Sequence, residues 1–173
     1  MQPNPPQPGF PQYGQPPMAA GPIPAARRKP RANAPAAVIA GVFALLAAAM
    51  LVWFALYNVF VAAEVNGRWS GIMVQNTVFG ILSAGLLVVA AGFTLARAIP
   101  GAWTLFGLCV FSVVAVFAGT PLVSATTFGA QLKWLFSFDD SDSTAMALMI
   151  VFGVLAAVAA AIAASVKSPG KQN

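Results

Sequence analysis

The side chains able to do covalent or metal chemistry are few. Histidine is absent, Cys109 is the only cysteine, and the acids are Glu64, Asp139, Asp140 and Asp142. A nucleophile that needs an imidazole base has none, and a thiol pair has no second thiol. The three aspartates of the run Asp139 to Ser143 lack an opposing base, so no catalytic residue is assigned and the chain reads as a non-enzyme. A calcium loop needs about six to eight oxygen ligands, with a glycine turn and a distal glutamate that this run does not have. No metal and no other cofactor is expected. The run suits a helix start instead, where Asp142 or Ser143 accepts from free N–H groups and negative charge meets the positive end of the helix dipole. Cys109 reads as a small buried hydrophobe.

The segments that must position these residues are set by solvent. Of 173 residues, 59% are hydrophobic and 8% charged, and the mean hydropathy is +0.79. Soluble domains average about 25% charged residues, so this composition belongs in a bilayer. Charges fall only between four long uncharged runs: Arg31 to Glu64, Arg68 to Arg97, Arg97 to Lys133, and Asp142 to Lys167. Each run can hold one crossing of about 20 residues. The expected spans are 36–59, 72–96, 102–119 and 144–166, within a membrane domain 35–167. The third is bracketed by Pro100-Gly101 and by Gly119-Thr120-Pro121. The fold class is an all-α integral membrane protein with four transmembrane helices.

Residues 1–34 differ in kind. Eleven of the fourteen prolines lie within the first 35 residues, and the tail has almost no aliphatic side chains. Proline lacks an N–H and fixes φ, so a disordered, polyproline-like tail is expected. Its overlapping PxxP patterns and two aromatics make Pro5, Pro8, Phe10, Pro11 and Tyr13 candidate partner-docking residues, with a solvated spacer as the competing reading. Arg27, Arg28, Lys29 and Arg31 form a basic cluster at the membrane entry, where each cation gains about 1 kcal/mol from anionic lipid. Twin-arginine export is disfavoured because Lys29-Pro30-Arg31 interrupts the signal. Nucleic acid is not an expected partner, since no basic groove remains outside the cluster.

Between the third and fourth spans, the loop 120–143 is too apolar to be solvated throughout. Phe128, Leu132, Leu135 and Phe136 have helical spacing, which predicts a short interfacial helix anchored by Trp134, with Lys133 toward the headgroups. A fifth crossing would put Lys133 inside a span.

Lysine and arginine are enriched in cytoplasmic loops. With the tail inside, that side collects Arg27, Arg28, Lys29, Arg31, Arg97, Lys167 and Lys171, and the outer side keeps Arg68 and Lys133. Both termini, including the short tail 168–173, are therefore expected in the cytoplasm.

Helices associate in lipid through close packing and interhelical hydrogen bonds. Small residues spaced by four mark candidate packing faces: Ala40, Ala44 and Ala48; Gly80 and Ala84; Ala115 and Gly119; and Gly153, Ala157, Ala161 and Ser165. The same stripes could serve a homo-oligomer. Polar residues inside the spans include Asn58, Gln75, Asn76, Thr77 and Ser83. Asn58 and Gln75/Asn76 are placed to meet across the first hairpin. No ionisable relay of the kind used by proton-coupled transporters is present.

The Pro/Gln-rich tail, the juxtamembrane RRKPR and the Ala/Val/Gly-rich four-helix region resemble small actinobacterial inner-membrane proteins, which implies a bacterial plasma membrane. The expected role is a non-enzymatic accessory or scaffold subunit whose tail or helix faces contact a cytoplasmic or membrane protein. The alternative is a small self-assembling channel or carrier. In a Cys109→Ser background, cysteines placed at Phe10 or Lys171 should react with an impermeant thiol reagent only after cells are opened. Labelling of either from outside intact cells would invert the orientation.

Overall fold

The computed structural model describes residues 30–64, 69–124 and 127–166. The tail residues Pro5, Pro8, Phe10, Pro11 and Tyr13, and the cations Arg27, Arg28 and Lys29, lie outside the described residues. Five helices follow in order: α1 (Ala34–Glu64), α2 (Gly71–Leu95), α3 (Ile99–Ser124), α4 (Phe128–Leu135) and α5 (Ser141–Ser165). All but α4 are long and apolar enough to cross a membrane.

The four long helices form a ring in which α1 touches α2 and α5, and α3 touches the same two, while α1 and α3 face each other across a diagonal. The segment leading into α1 and the end of α5 meet at one end of the bundle, because Asn33 N donates to Ala163 O at 3.1 Å. This is here called the terminal end. The opposite, distal end carries α4 and the acidic run.

Helix limits follow local chemistry. Asn33 Oδ1 accepts from Ala36 N at 3.3 Å, so α1 starts two residues before the expected 36, with Pro35 in its first turn. Ser70 caps α2 by accepting from Met73 N at 3.2 Å. The start of α5 is Ser141, earlier than the expected 144. Asp142 Oδ1 takes Ser143 N at 2.8 Å, and Ser143 Oγ takes Asp140 N at 3.4 Å. The third span differs most, since α3 begins at Ile99 and runs through Gly119 and Pro121 to Ser124 rather than over 102–119. Proline sits without harm in a first turn, as Pro100 does. Within a membrane helix it costs one backbone bond, which neighbouring groups can answer. Among the residues whose side chains are described, the part of α3 apolar enough to cross a membrane is Ile99–Gly119.

Packing rests on alanine and glycine. Ala40, Ala44 and Ala48 are buried on α1, as are Gly80 and Ala84 on α2. A methyl added to Gly80 would lie 2.9 Å from Leu51 O and 3.0 Å from Ala55 Cβ, so α2 lies against the backbone of α1. On α5 the spacing of four drifts. Gly153 and Ala157 are buried, Ala161 is half-buried and Ser165 is exposed. Each step of four residues turns about 40° beyond a full helical turn, so the stripe rotates off the interface. The face that stays inside follows the true period through Ala156, Ala160, Ala163 and Ala164.

Gly80→Val should therefore lower stability in detergent by about 1–3 kcal/mol through overpacking. Gly85→Val is the control, because nothing lies within 4 Å of a methyl there. Equal thermal midpoints for the two variants would remove the backbone contact from the account.

Candidate functional site

Two places in the bundle combine polar groups with a specific geometry. The first is the terminal end, where the tail leaves the membrane domain. Arg97 N donates to Thr94 O at 2.8 Å and Ala98 N to Phe93 O at 3.1 Å, which closes α2 with a Schellman turn. The left-handed residue of that turn is Arg97, with φ 62°. Glycine usually fills this position because a Cβ crowds the carbonyl there, at a cost of about 1–2 kcal/mol. Arg97 uses its side chain elsewhere. Its Nε and Nη2 both donate to Ala32 O, at 3.1 and 3.0 Å, and its own carbonyl accepts from Ala32 N at 3.2 Å. Ala32 is fully buried and packs with Ala37, Ala102, Ala163 and Ala164. Arg31, one residue earlier and the described member of the basic cluster, is exposed. The tail thus leaves the bundle from a point held by three segments: α1, the α2–α3 turn and the end of α5. Arg97 reads in the sequence as a loop cation, and only its place in the Schellman turn reveals the second role.

The second place is a cavity of about 810 Å³ in the distal half, between α2 and α3 and under α4. Its inner wall includes Phe54, Val116 and Met146, and its mouth is edged by Ile72, Leu82, Leu86 and Phe111, each more than half exposed. Polar groups gather at the distal top, where Gln75 and Asn76 of α2 meet Gln131 of α4 and Asp142 of α5. Asn76 Nδ2 donates to Asn58 Oδ1 at 3.3 Å, and Asn58 Nδ2 donates to Phe54 O at 2.9 Å. Gln75 is exposed and takes no part in that pair. Gln131 is 4% exposed and donates to Val116 O at 3.4 Å, which ties α4 to α3. It sits on the buried face of α4 together with Leu135, whereas Phe128 and Phe136, expected on the apolar face, are exposed. Trp134 is half-buried beside the cavity and Lys133 is exposed outside it.

The pair Ala115 and Gly119, read as a packing face, lines the cavity instead. A methyl on Gly119 would have nothing within 4 Å. Small side chains here leave volume rather than bring helices together. Thr77, on the buried face of α2, keeps its Oγ1 without a partner among the described residues. Asp139 and Asp140 edge a smaller groove with Trp53 of α1. Among the described residues no group of three or more His, Cys, Asp or Glu could hold a metal ion.

No protein-family model, curated protein or solved structure matches the chain. Fold and composition define the class: an all-helical protein with four helices able to span a membrane.

Two substitutions separate the roles of Arg97. Arg97→Gly relieves the left-handed backbone but loses the guanidinium bonds, while Arg97→Ala loses the bonds and keeps the strain. Thermal unfolding in detergent should rank wild type above Arg97→Gly, and Arg97→Gly above Arg97→Ala by about 1 kcal/mol. A glycine variant as stable as wild type would mean that the guanidinium does not hold the tail exit.

Proposed function

We propose that the protein is a non-enzymatic membrane accessory subunit that presents its proline-rich tail to a partner from a fixed point on a four-helix anchor. The observation that carries this reading is the bonded exit of the tail. Arg97 and Ala163 bind the backbone of Ala32 and Asn33, so the preceding residues start from a defined position at the bundle end. A tether that only needed to float would not require a buried Ala32 or a strained arginine turn. Pro5, Pro8, Phe10, Pro11 and Tyr13 are the proposed contact residues, with the extended proline segment docking an aromatic-lined groove at low entropic cost. The basic cluster Arg27, Arg28, Lys29 and Arg31 binds anionic headgroups at the same face. By the positive-inside distribution that face is cytoplasmic, and the resemblance to small bacterial inner-membrane proteins implies a plasma membrane. Within a single chain, a conducting path is disfavoured by the alanine and leucine packing around Ala44, Leu51, Leu87 and Leu105.

The test is affinity purification from mild detergent of the full chain and of a chain lacking residues 2–26, with mass spectrometry of what copurifies. A partner that is held only when the tail is present is the expected result. Identical recovery from both chains would refute tail docking.

A further inference from the structure

The cavity between α2 and α3 lies at the end of the bundle opposite Ala32 and Asn33, and its shape is that of a ligand site. It lies within the volume range of about 300–1,000 Å³ typical of small-molecule pockets, at about 810 Å³. We propose that it seats one acyl chain of a lipid drawn from the distal leaflet, and that the lipid's head group carries an ammonium.

Four observations lead there. First, the mouth opens sideways, because Ile72, Leu82, Leu86 and Phe111 edge the cavity while being 55–64% exposed on helices long and apolar enough to cross a membrane. The molecules in contact with that mouth are lipids.

Second, the length fits one leaflet. The lining on α2 runs from Ile72 to Leu86. At 1.5 Å per residue that is about 21 Å, half of a bilayer of about 40–45 Å with its head-group regions included. Beyond Leu86 the bundle closes over buried Leu87 and Leu105, and at the hairpin a methyl on Gly101 would meet Phe93 Cβ at 2.7 Å. A helix from a second copy would be about 10–12 Å wide and would continue through both leaflets, so it fits this blind wedge poorly.

Third, polarity is graded along the same axis. Gln75, Asn76, Gln131 and Asp142 stand at the distal top, and the deeper lining is apolar except for Ser83. Fourth, among the described residues Asp142 is the one charged residue of the lining, and it is half-buried. An ammonium answers a carboxylate in this setting, whereas an anionic head group would be repelled by it.

The experiment uses the full chain in nanodiscs of equal parts phosphatidylethanolamine and phosphatidylglycerol, followed by release into mild detergent and native mass spectrometry of the retained lipid. Wild type should keep one phosphatidylethanolamine per chain, in about tenfold preference over phosphatidylglycerol, as expected for one charge-assisted bond. Asp142→Asn keeps an oxygen for Ser143 N and should erase the preference while lipid is still retained. Ala115→Phe fills the cavity and should abolish retention. Leu82→Trp, at an exposed position that folding does not need, narrows the mouth and should do the same if Ala115→Phe misfolds. Removal of residues 2–26 should change nothing, which separates this site from tail docking.

Equal lipid retention by wild type and both cavity variants would overturn the proposal. So would equal retention of the two head groups by wild type, or a wild-type dimer without lipid that Ala115→Phe converts to monomer.

Discussion

Close approach of helix backbones is the interaction on which this bundle depends. Lipid tails are as apolar as leucine, so removing a leucine from lipid gains almost nothing, and helices adhere only where their surfaces fit. Alanine and glycine provide that fit where α1 meets its neighbours. Gly80 places α2 against Leu51 O of α1, and Ala40, Ala44, Ala47 and Ala48 are buried in the same helix. The partner faces of α5 are made of Ala156, Ala157 and Ala160. The half of the ring between α2 and α3 is open at its distal end, where Phe79, Phe111, Ala115 and Gly119 line the cavity and a methyl on Gly119 would have nothing within 4 Å. Tight packing around α1 and a void beside α3 are two consequences of one rule.

The spans could be read from the sequence because charge inside a bilayer is expensive, and thirteen charged residues parse the chain with little ambiguity. Helix ends were less readable. Pro121 signals a stop in water, yet α3 continues past it. Small-residue spacing was readable only in part, since the same four-residue pattern at Gly80/Ala84 brings backbones together and at Ala115/Gly119 lines a cavity. Pattern reports that a face is smooth; the neighbour decides whether it is filled. Spacing of four on α5 also selected Ala161 and Ser165, which the helical period of 3.6 carries away from the interface.

Of the site residues, the polar pair Asn58 and Asn76 could be anticipated from hairpin geometry, whereas Gln131 could not. A glutamine between Ala130 and Leu132 in an amphipathic helix looks like part of the wet face, and it is buried only because α4 folds back over α3. Arg97 was hidden for a different reason. Its charge marks a loop in any topology argument, and nothing in a run of residues says that a non-glycine will close the turn and reach across to Ala32.

The two ends of the bundle differ in how far other segments answer their free backbone groups. At the terminal end the answers come from other segments: Ala163 O from Asn33 N, Ala32 O from the Arg97 guanidinium, and Arg97 O from Ala32 N. Moving any one of these segments uncovers a carbonyl or an N–H in a poorly hydrated place, which costs about 1–3 kcal/mol for each group. At the distal end the caps are local, with Ser70 serving α2, Thr127 serving α4, and Asp142 and Ser143 serving α5. Among the described residues no hydrogen bond joins α2 to α3 there. Widening the wedge therefore breaks no polar contact between the two helices, while loosening the tail exit breaks several. At the distal end the bonds between segments among the described residues are Asn76 Nδ2 to Asn58 Oδ1 and Gln131 Nε2 to Val116 O, which join α2 to α1 and α4 to α3 and leave the α2–α3 side of the ring held by packing alone.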